Sequence, residues 1–179
     1  MRPAALAVVV LLAASPGLEA QTCIAQAPPA NLWTCTVNTS ASLVIGDVLS
    51  LTLSSTTTAL SPPAGADYDA GFVANTGPTA TVRANRPWRL QISTATATWS
   101  AANTQPGVNA RANKPASDLL RATAAGGPFT ALSTTPATVA SGGATAGTVT
   151  NGFFRTTYAW AVDTPGTYSL VVTFTLLAP

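Results

Sequence analysis

The sequence predicts an all-β chain, an antiparallel sandwich of about seven to nine short strands. Three observations point there. Apolar residues recur at every second position, Thr and Ser fill many of the alternate positions, and clusters of Gly, Pro, Asn and Asp separate the alternating runs. Helical spacing does not recur along the chain.

The N-terminus is the exception. Met1-Arg2-Pro3 is a short basic lead, Ala4 to Ala14 is an unbroken apolar run, and Ser15-Pro16-Gly17 breaks it before Leu18-Glu19-Ala20. That order predicts a cleavable signal peptide over 1–20, an exported protein, and one domain over 21–179. The apolar run falls short of the roughly 20 residues a spanning helix needs, and no later segment reaches that length. The predicted destination is the periplasm, the cell surface or the extracellular space. No transmembrane segment is expected after cleavage.

Cys23 and Cys35 are the only cysteines. In an exported chain they predict one disulfide, which closes a short loop and stabilises by about 3 kcal/mol. Two thiols in a chain without histidine cannot fill a tetrahedral metal site.

The strands are predicted in order. Residues 31–38 set Trp33, Cys35 and Val37 on one face, and 47–54 set Leu49, Leu51 and Leu53 on one face. Residues 79–84 form a short strand around Val82, and 88–94 alternate Trp88, Leu90 and Ile92 against Arg89, Gln91 and Ser93. Residues 117–123 read as a strand or a helical turn, with the strand preferred. Residues 153–162 place Phe154, Tyr158, Trp160 and Val162 together, and 167–177 place Tyr168, Leu170, Val172, Phe174 and Leu176 together. Asp163-Thr164-Pro165-Gly166 between the last two predicts a hairpin. Residues 54–66 and 133–151 are rich in Thr, Ser, Ala and Gly, and are expected as long loops or poorly packed edge strands.

Charged residues make up 8% of the chain, against roughly 25% in an ordinary domain, so the polar surface must be built from hydroxyls and amides. The signal peptide removes one of eight basic and one of six acidic residues, Arg2 and Glu19, and the net charge stays +2. So small a charge gives no nucleic-acid footprint and little repulsion between copies. Self-association, or contact with a cell-surface glycan or protein, is the expected partnership.

The chain has no histidine and a single lysine, Lys114, in a polar, turn-like stretch. The usual general base and triad are therefore absent, and no enzyme and no cofactor is predicted. Asp67 and Asp69 form a weak calcium candidate, two carboxylates toward a site that needs about six or more oxygens. Arg83, Arg86 and Arg89 cluster with Trp88 in RANRPWR, and strand parity sets Arg83 and Arg89 on the outer face of two neighbouring strands. Trp99 falls out of phase with Trp88, Leu90 and Ile92, which puts it either on the outer face or on a new strand after a bulge. Exposed, Trp99 with Arg83, Arg86 and Arg89 would make a carbohydrate-binding site. Trp33, Trp88 and Trp160 are expected in the core.

The closing stretch, Asp163-Thr164-Pro165-Gly166-Thr167-Tyr168-Ser169-Leu170 followed by VVTFTLLAP, resembles the last hairpin of bacterial immunoglobulin-like sandwich domains, where a Pro-Gly-x-Tyr corner leads into the final strand. With the early cysteine pair and the hydroxyl-rich strands, the chain resembles exported bacterial surface proteins of the spore-coat-protein-U and fimbrial-subunit kind. The resemblance implies an immunoglobulin-like sandwich in Greek-key order and a non-catalytic structural or adhesive role at a cell surface. It carries over no functional residue. Fimbrial subunits have an alternating N-terminal donor segment; QTCIAQAPPA does not alternate, so a self-contained sandwich is expected here.

Overall fold

A computed structural model describes residues 36–179. The predicted signal peptide, Trp33, and the Cys23–Cys35 pair lie outside the described residues. The chain divides into two units, Met1–Ile45 and Gly46–Pro179. Of the first, residues 36–45 form no helix or strand, so the strand expected over 31–38 is not formed at 36–38, and its residues 31–35 lie outside the described residues.

The second unit is all-β with antiparallel pairing, a sandwich that does not close into a barrel. Its strands are β1 (Leu49–Leu53), β2 (Phe72–Thr76), β3 (Ala80–Ala84), β4 (Trp88–Thr94), β5 (Ser100–Ala102), β6 (Leu119–Ala122), β7 (Thr130–Ala131), β8 (Ala137–Gly142), β9 (Thr145–Thr150), β10 (Phe153–Thr157), β11 (Thr167–Ser169) and β12 (Val172–Leu177). One short helix, α1 (Gly65–Ala70), precedes β2, and a 3-10 turn over Ala116–Asp118 precedes β6.

Four small sheets result, with orders β1-β3-β9, β2-β10-β6-β7, β11-β5 and β12-β4-β8. They derive from two long antiparallel ribbons, each bent in the middle. β2 and β3 run in line against β10 and β9, pairing Thr76 with Phe153 and Ala80 with Thr150. At the bend the Gly77 N–H donates to Gly152 O at 2.9 Å, and the backbones approach so closely that a Cβ on Gly152 would sit 2.5 Å from Pro78 O. In the same way β4 and β5 run against β12 and β11. Thr94 pairs with Val172 and Ser100 with Ser169, and the Ala95 N–H reaches Val171 O across the break at 3.0 Å.

Two cores fill the space between the ribbons. Val82, Ala84, Trp88 and Leu90 form the first, joined by Leu49, Leu51, Leu53 and Leu176. Ile92, Trp99, Leu119, Leu132 and Phe154 form the second, joined by Leu60, Tyr168, Leu170 and Val172. The alternation read from 47–54, 79–84 and 88–94 sets these inward faces, with Val82 and Leu90 wholly buried. Burying a side chain of this size is worth about 1.5–3 kcal/mol.

Several expectations change. The stretch 153–162 leaves the sheet after Thr157, and Trp160 and Val162 are exposed, not core. The stretch 167–177 is two strands, broken at Leu170-Val171, where it follows the bend of its partner ribbon. Asp163–Gly166 joins no hairpin: β10 pairs with β2 and β6, whereas β11 and β12 pair with β5 and β4. Residues 133–151 contain β8 and β9, both terminal strands, which sit in different sheets although only Gly143 and Ala144 separate them. Residues 117–123 hold both readings, a 3-10 turn and then β6.

A buried ion-pair cluster under an aromatic rim

The local sequence around Lys114 is polar, yet Lys114 is the largest wholly buried side chain among the described residues, 2% exposed. The reason is tertiary. The Lys114 main chain is tied to the second core, since the Trp99 N–H donates to Lys114 O at 2.8 Å and the Ala116 N–H to Ala97 O at 2.8 Å. The Trp99 indole adds a bond from Nε1 to Pro115 O at 3.0 Å. Thus held, the side chain passes inward under the segment that follows β10.

There its ammonium meets three oxygens. Nζ donates to Asp163 Oδ1 at 2.8 Å, to Asp118 Oδ2 at 3.0 Å and to Thr157 O at 2.9 Å, which uses all three of its protons. The Tyr158 ring lies 4.9 Å from Nζ and covers it. Arg111 closes the cluster, with Nη1 3.1 Å from Asp163 Oδ1 and 3.4 Å from Asp118 Oδ2. Two cations face two carboxylates, so the cluster is neutral as a unit. Buried charges are tolerated when paired and hydrogen-bonded in this way.

Asp163 anchors the far side. Its Oδ2 accepts the Ala159 N–H at 2.9 Å, which ties off the turn after β10. Burial pushes the Asp163 carboxyl up, but hydrogen bonds from Lys114, the Ala159 N–H and Arg111 outweigh it and hold the group below the usual carboxylate range. The other two tyrosines pack around the same point. Tyr68 donates to Asp163 O at 3.3 Å, and Tyr168 donates to Thr164 O at 2.6 Å while accepting the Arg111 N–H at 2.9 Å. The Tyr168 bond back to the chain four residues upstream is the geometry of a tyrosine corner. All three tyrosines of the chain therefore surround its one lysine. Burial raises Tyr68 and Tyr158 above the ordinary phenol value, and the Asp163 charge adds to both.

Above the cluster runs an open groove of ≈ 540 Å³, bordered by Leu60 to Pro63, Tyr68, Tyr158 and Thr164 to Tyr168. At its edge Trp160 stands 64% exposed, stacked on Tyr68 with ring centroids 4.5 Å apart. Its Nε1 donates to Asp69 Oδ1 at 3.0 Å, so one indole face is packed and the other is open.

The residues singled out in the sequence do not converge. Trp99 is on neither the outer face nor a strand: it lies between the bend at 95–97 and β5, and that placement buries it at 6% exposure. The sugar-binding reading thereby loses its exposed indole. Arg83 and Arg89 are not on neighbouring strands, because β3 and β4 belong to different sheets facing each other across the first core. Their outward side chains point to opposite sides. Arg86 pairs with Asp47 at the surface. Asp67 is used by the start of α1, accepting the Ala64 N–H at 2.8 Å, and Asp69 by Trp160. Among the described residues no group of three or more His, Cys, Asp or Glu side chains is placed to hold a metal. Likewise no helix of the described residues is long and apolar enough to cross a membrane.

Lys114 escaped the sequence reading because its partners, Tyr158 and Asp163, are more than forty residues away. The one available signal was its rarity: a lone lysine with Asp118 four residues on. No protein-family model matches the chain, and no curated protein matches it. Fold and cluster define its class: an all-β sandwich with a self-neutralising ion-pair core at one end.

Proposed function

We propose that this protein is a non-catalytic, exported structural or adhesive component of a bacterial cell surface or extracellular layer. One observation carries the reading. Every terminal strand of the four sheets, β1, β9, β2, β7, β11, β5, β12 and β8, is free of charged residues. The strand arginines, Arg83, Arg89, Arg121 and Arg155, all lie on inner strands. Natural sheets that must stay apart guard their edges with charge, proline or bulges; β8 and β9 each carry one register shift against β4 and β3, and the other six terminal strands carry none of the three. Uncharged, hydroxyl-rich edges favour strand-to-strand association between copies. The signal-peptide pattern at 1–20 and the lack of an uncommitted acid or base in the buried cluster support the same reading.

Light scattering against concentration tests it. Growth into large assemblies at micromolar protein is expected, and Val149→Lys, which charges the exposed edge of β9, should suppress it. A strict monomer at every concentration overturns the reading.

A second reading, a carbohydrate-binding module, is favoured by a different residue from the one the sequence suggested. The open face of Trp160 beside the groove suits stacking on a sugar ring. Indole fluorescence that responds to a polysaccharide in the native chain, and not in Trp160→Ala, would support it.

A further inference from the structure

The ion-pair cluster neutralises itself, so the field at the groove above it is set by other groups. Asp67 and Asp69, both on α1, supply it. Among the described residues Asp47, Asp118 and Asp163 each pair with a cation, and Asp67 and Asp69 pair with none. Each of the two keeps an oxygen free. Asp67 accepts the Ala64 N–H through Oδ2, and Asp69 accepts the Trp160 indole N–H through Oδ1. Asp67 also lies near enough to Tyr158, on the groove wall, for its charge to raise that phenol. The arginines on β3, β4, β6 and β10 have no carboxylate partner among the described residues, and none of them borders the groove. A chain of net charge +2 thus carries a local negative site beside Trp160.

Trp160 is held ready for a ligand. Its ring stacks on Tyr68 with centroids 4.5 Å apart and planes 24° from parallel, and the Asp69 bond fixes its rotation. Little ordering is left to do when something binds the open face. The same bond sets a carboxylate against the edge of that face. Deeper in, Thr156 borders the groove at 2% exposure, and its Oγ1, beside the Tyr158 hydroxyl, completes no hydrogen bond. Buried polar groups normally have a partner.

A sugar stacked on the indole by its C–H face brings a ring substituent to the Asp69 carboxylate. An ammonium in that place gains a charge-assisted hydrogen bond and the negative faces of the two stacked rings. A carboxylate or sulfate meets like charge, and a hydroxyl leaves both aspartates without a counter-charge. Taking the groove as a sugar site, the second of the two functional readings above, we propose that its ligand is a glycan of glucosamine units with free amines, stacked on Trp160 and held by Asp69, with Asp67 adding to the field.

Calorimetric titration of the native protein with equally linked tetramers of glucosamine, N-acetylglucosamine and glucose tests this, in mildly acidic, low-salt buffer where a sugar amine carries its proton. The glucosamine tetramer should bind about five- to tenfold more tightly than the other two, the worth of a partly exposed ion pair with a second carboxylate behind it. Asp69→Asn keeps an acceptor for the Trp160 indole and removes the charge, so it should erase most of that preference and leave the other two tetramers unchanged. Trp160→Ala should abolish binding of all three with an unchanged circular dichroism spectrum. Equal affinity of the native protein for the three overturns the amine preference and leaves the carbohydrate reading standing, whereas no binding of any overturns both. A preference kept in full by Asp69→Asn overturns the role of that carboxylate. A lysine tetramer that binds as tightly as the glucosamine one, or glucosamine binding that survives in Trp160→Ala, overturns the stacked sugar as the occupant.

Discussion

Lys114 Nζ and Asp163 Oδ1 lie 2.8 Å apart, and both side chains are withdrawn from solvent. Removing one member leaves the other buried and unmatched, which typically costs about 3–5 kcal/mol. Lys114→Met should therefore destabilise the fold by that order. Lys114→Met with Asp163→Leu should recover much of the loss, because the second change removes the stranded carboxylate. Urea denaturation of both variants measures the difference.

Acid tests the same pair. The Asp163 pKa is depressed in the folded state, because Lys114, Ala159 and Arg111 outweigh the effect of burial. The stability it contributes is thus fully present above the unfolded value of about 3.9, and is lost as the pH falls through the lower folded value. Denaturation midpoints should hold steady from about pH 7 to pH 5 and fall below about pH 4. Asp163→Asn should remove this share of the slope.

Alkali addresses the tyrosines. Tyr68 and Tyr158 are raised, burial being the larger cause in each. A raised folded value means the stabilisation is present below the unfolded value of about 10 and is lost as the pH rises through the folded one. Absorbance titration should show tyrosinate forming late at these two rings. Lys114→Met should shift the Tyr158 transition, since it removes the cation 4.9 Å from that ring.

On β10 the Arg155 guanidinium carbon lies 4.0 Å from the Phe72 ring centroid and 4.1 Å from that of Phe129. Each such contact contributes about 0.5–2 kcal/mol, and the stem adds packing. Arg155→Ala should cost about 1–3 kcal/mol in urea. Arg155→Lys should recover only part of it, because a compact ammonium cannot lie flat between two rings.

Gly152 sits where the first ribbon bends, and the added Cβ of Gly152→Ala would meet the Pro78 carbonyl at 2.5 Å. Backbone cannot yield as a side chain can, so this single methyl should destabilise by about 1–3 kcal/mol. Thermal unfolding of the variant checks it.

The sandwich class was legible because period-two patterning reports which face of a strand is buried, as at Leu49–Leu53 and Trp88–Ile92. What the pattern cannot carry is where a strand bends. Tyr168 to Leu176 keeps its parity through the break at Leu170-Val171, so two strands read as one. β8 and β9 were visible only as Thr-rich runs that could be edges, since an edge strand with a thin inner face leaves little apolar alternation. The ion-pair cluster left a single trace in the sequence, a lone lysine with Asp118 four residues on. Local composition describes the neighbours of Lys114 along the chain, and its burial is set by Tyr158 and Asp163 from the far side of the fold.

The two bent ribbons have a consequence in time. β2 and β3 wait for partners at 145–157, and β4 and β5 for partners at 167–177; only β6 and β7 pair at short range. Loops of this length must close before any contact rewards them, so folding should be slow for a domain of this size. A chain that emerges N-terminus first, from a ribosome or through a membrane pore, cannot complete either core until its last dozen residues are free. Until then it remains threadable.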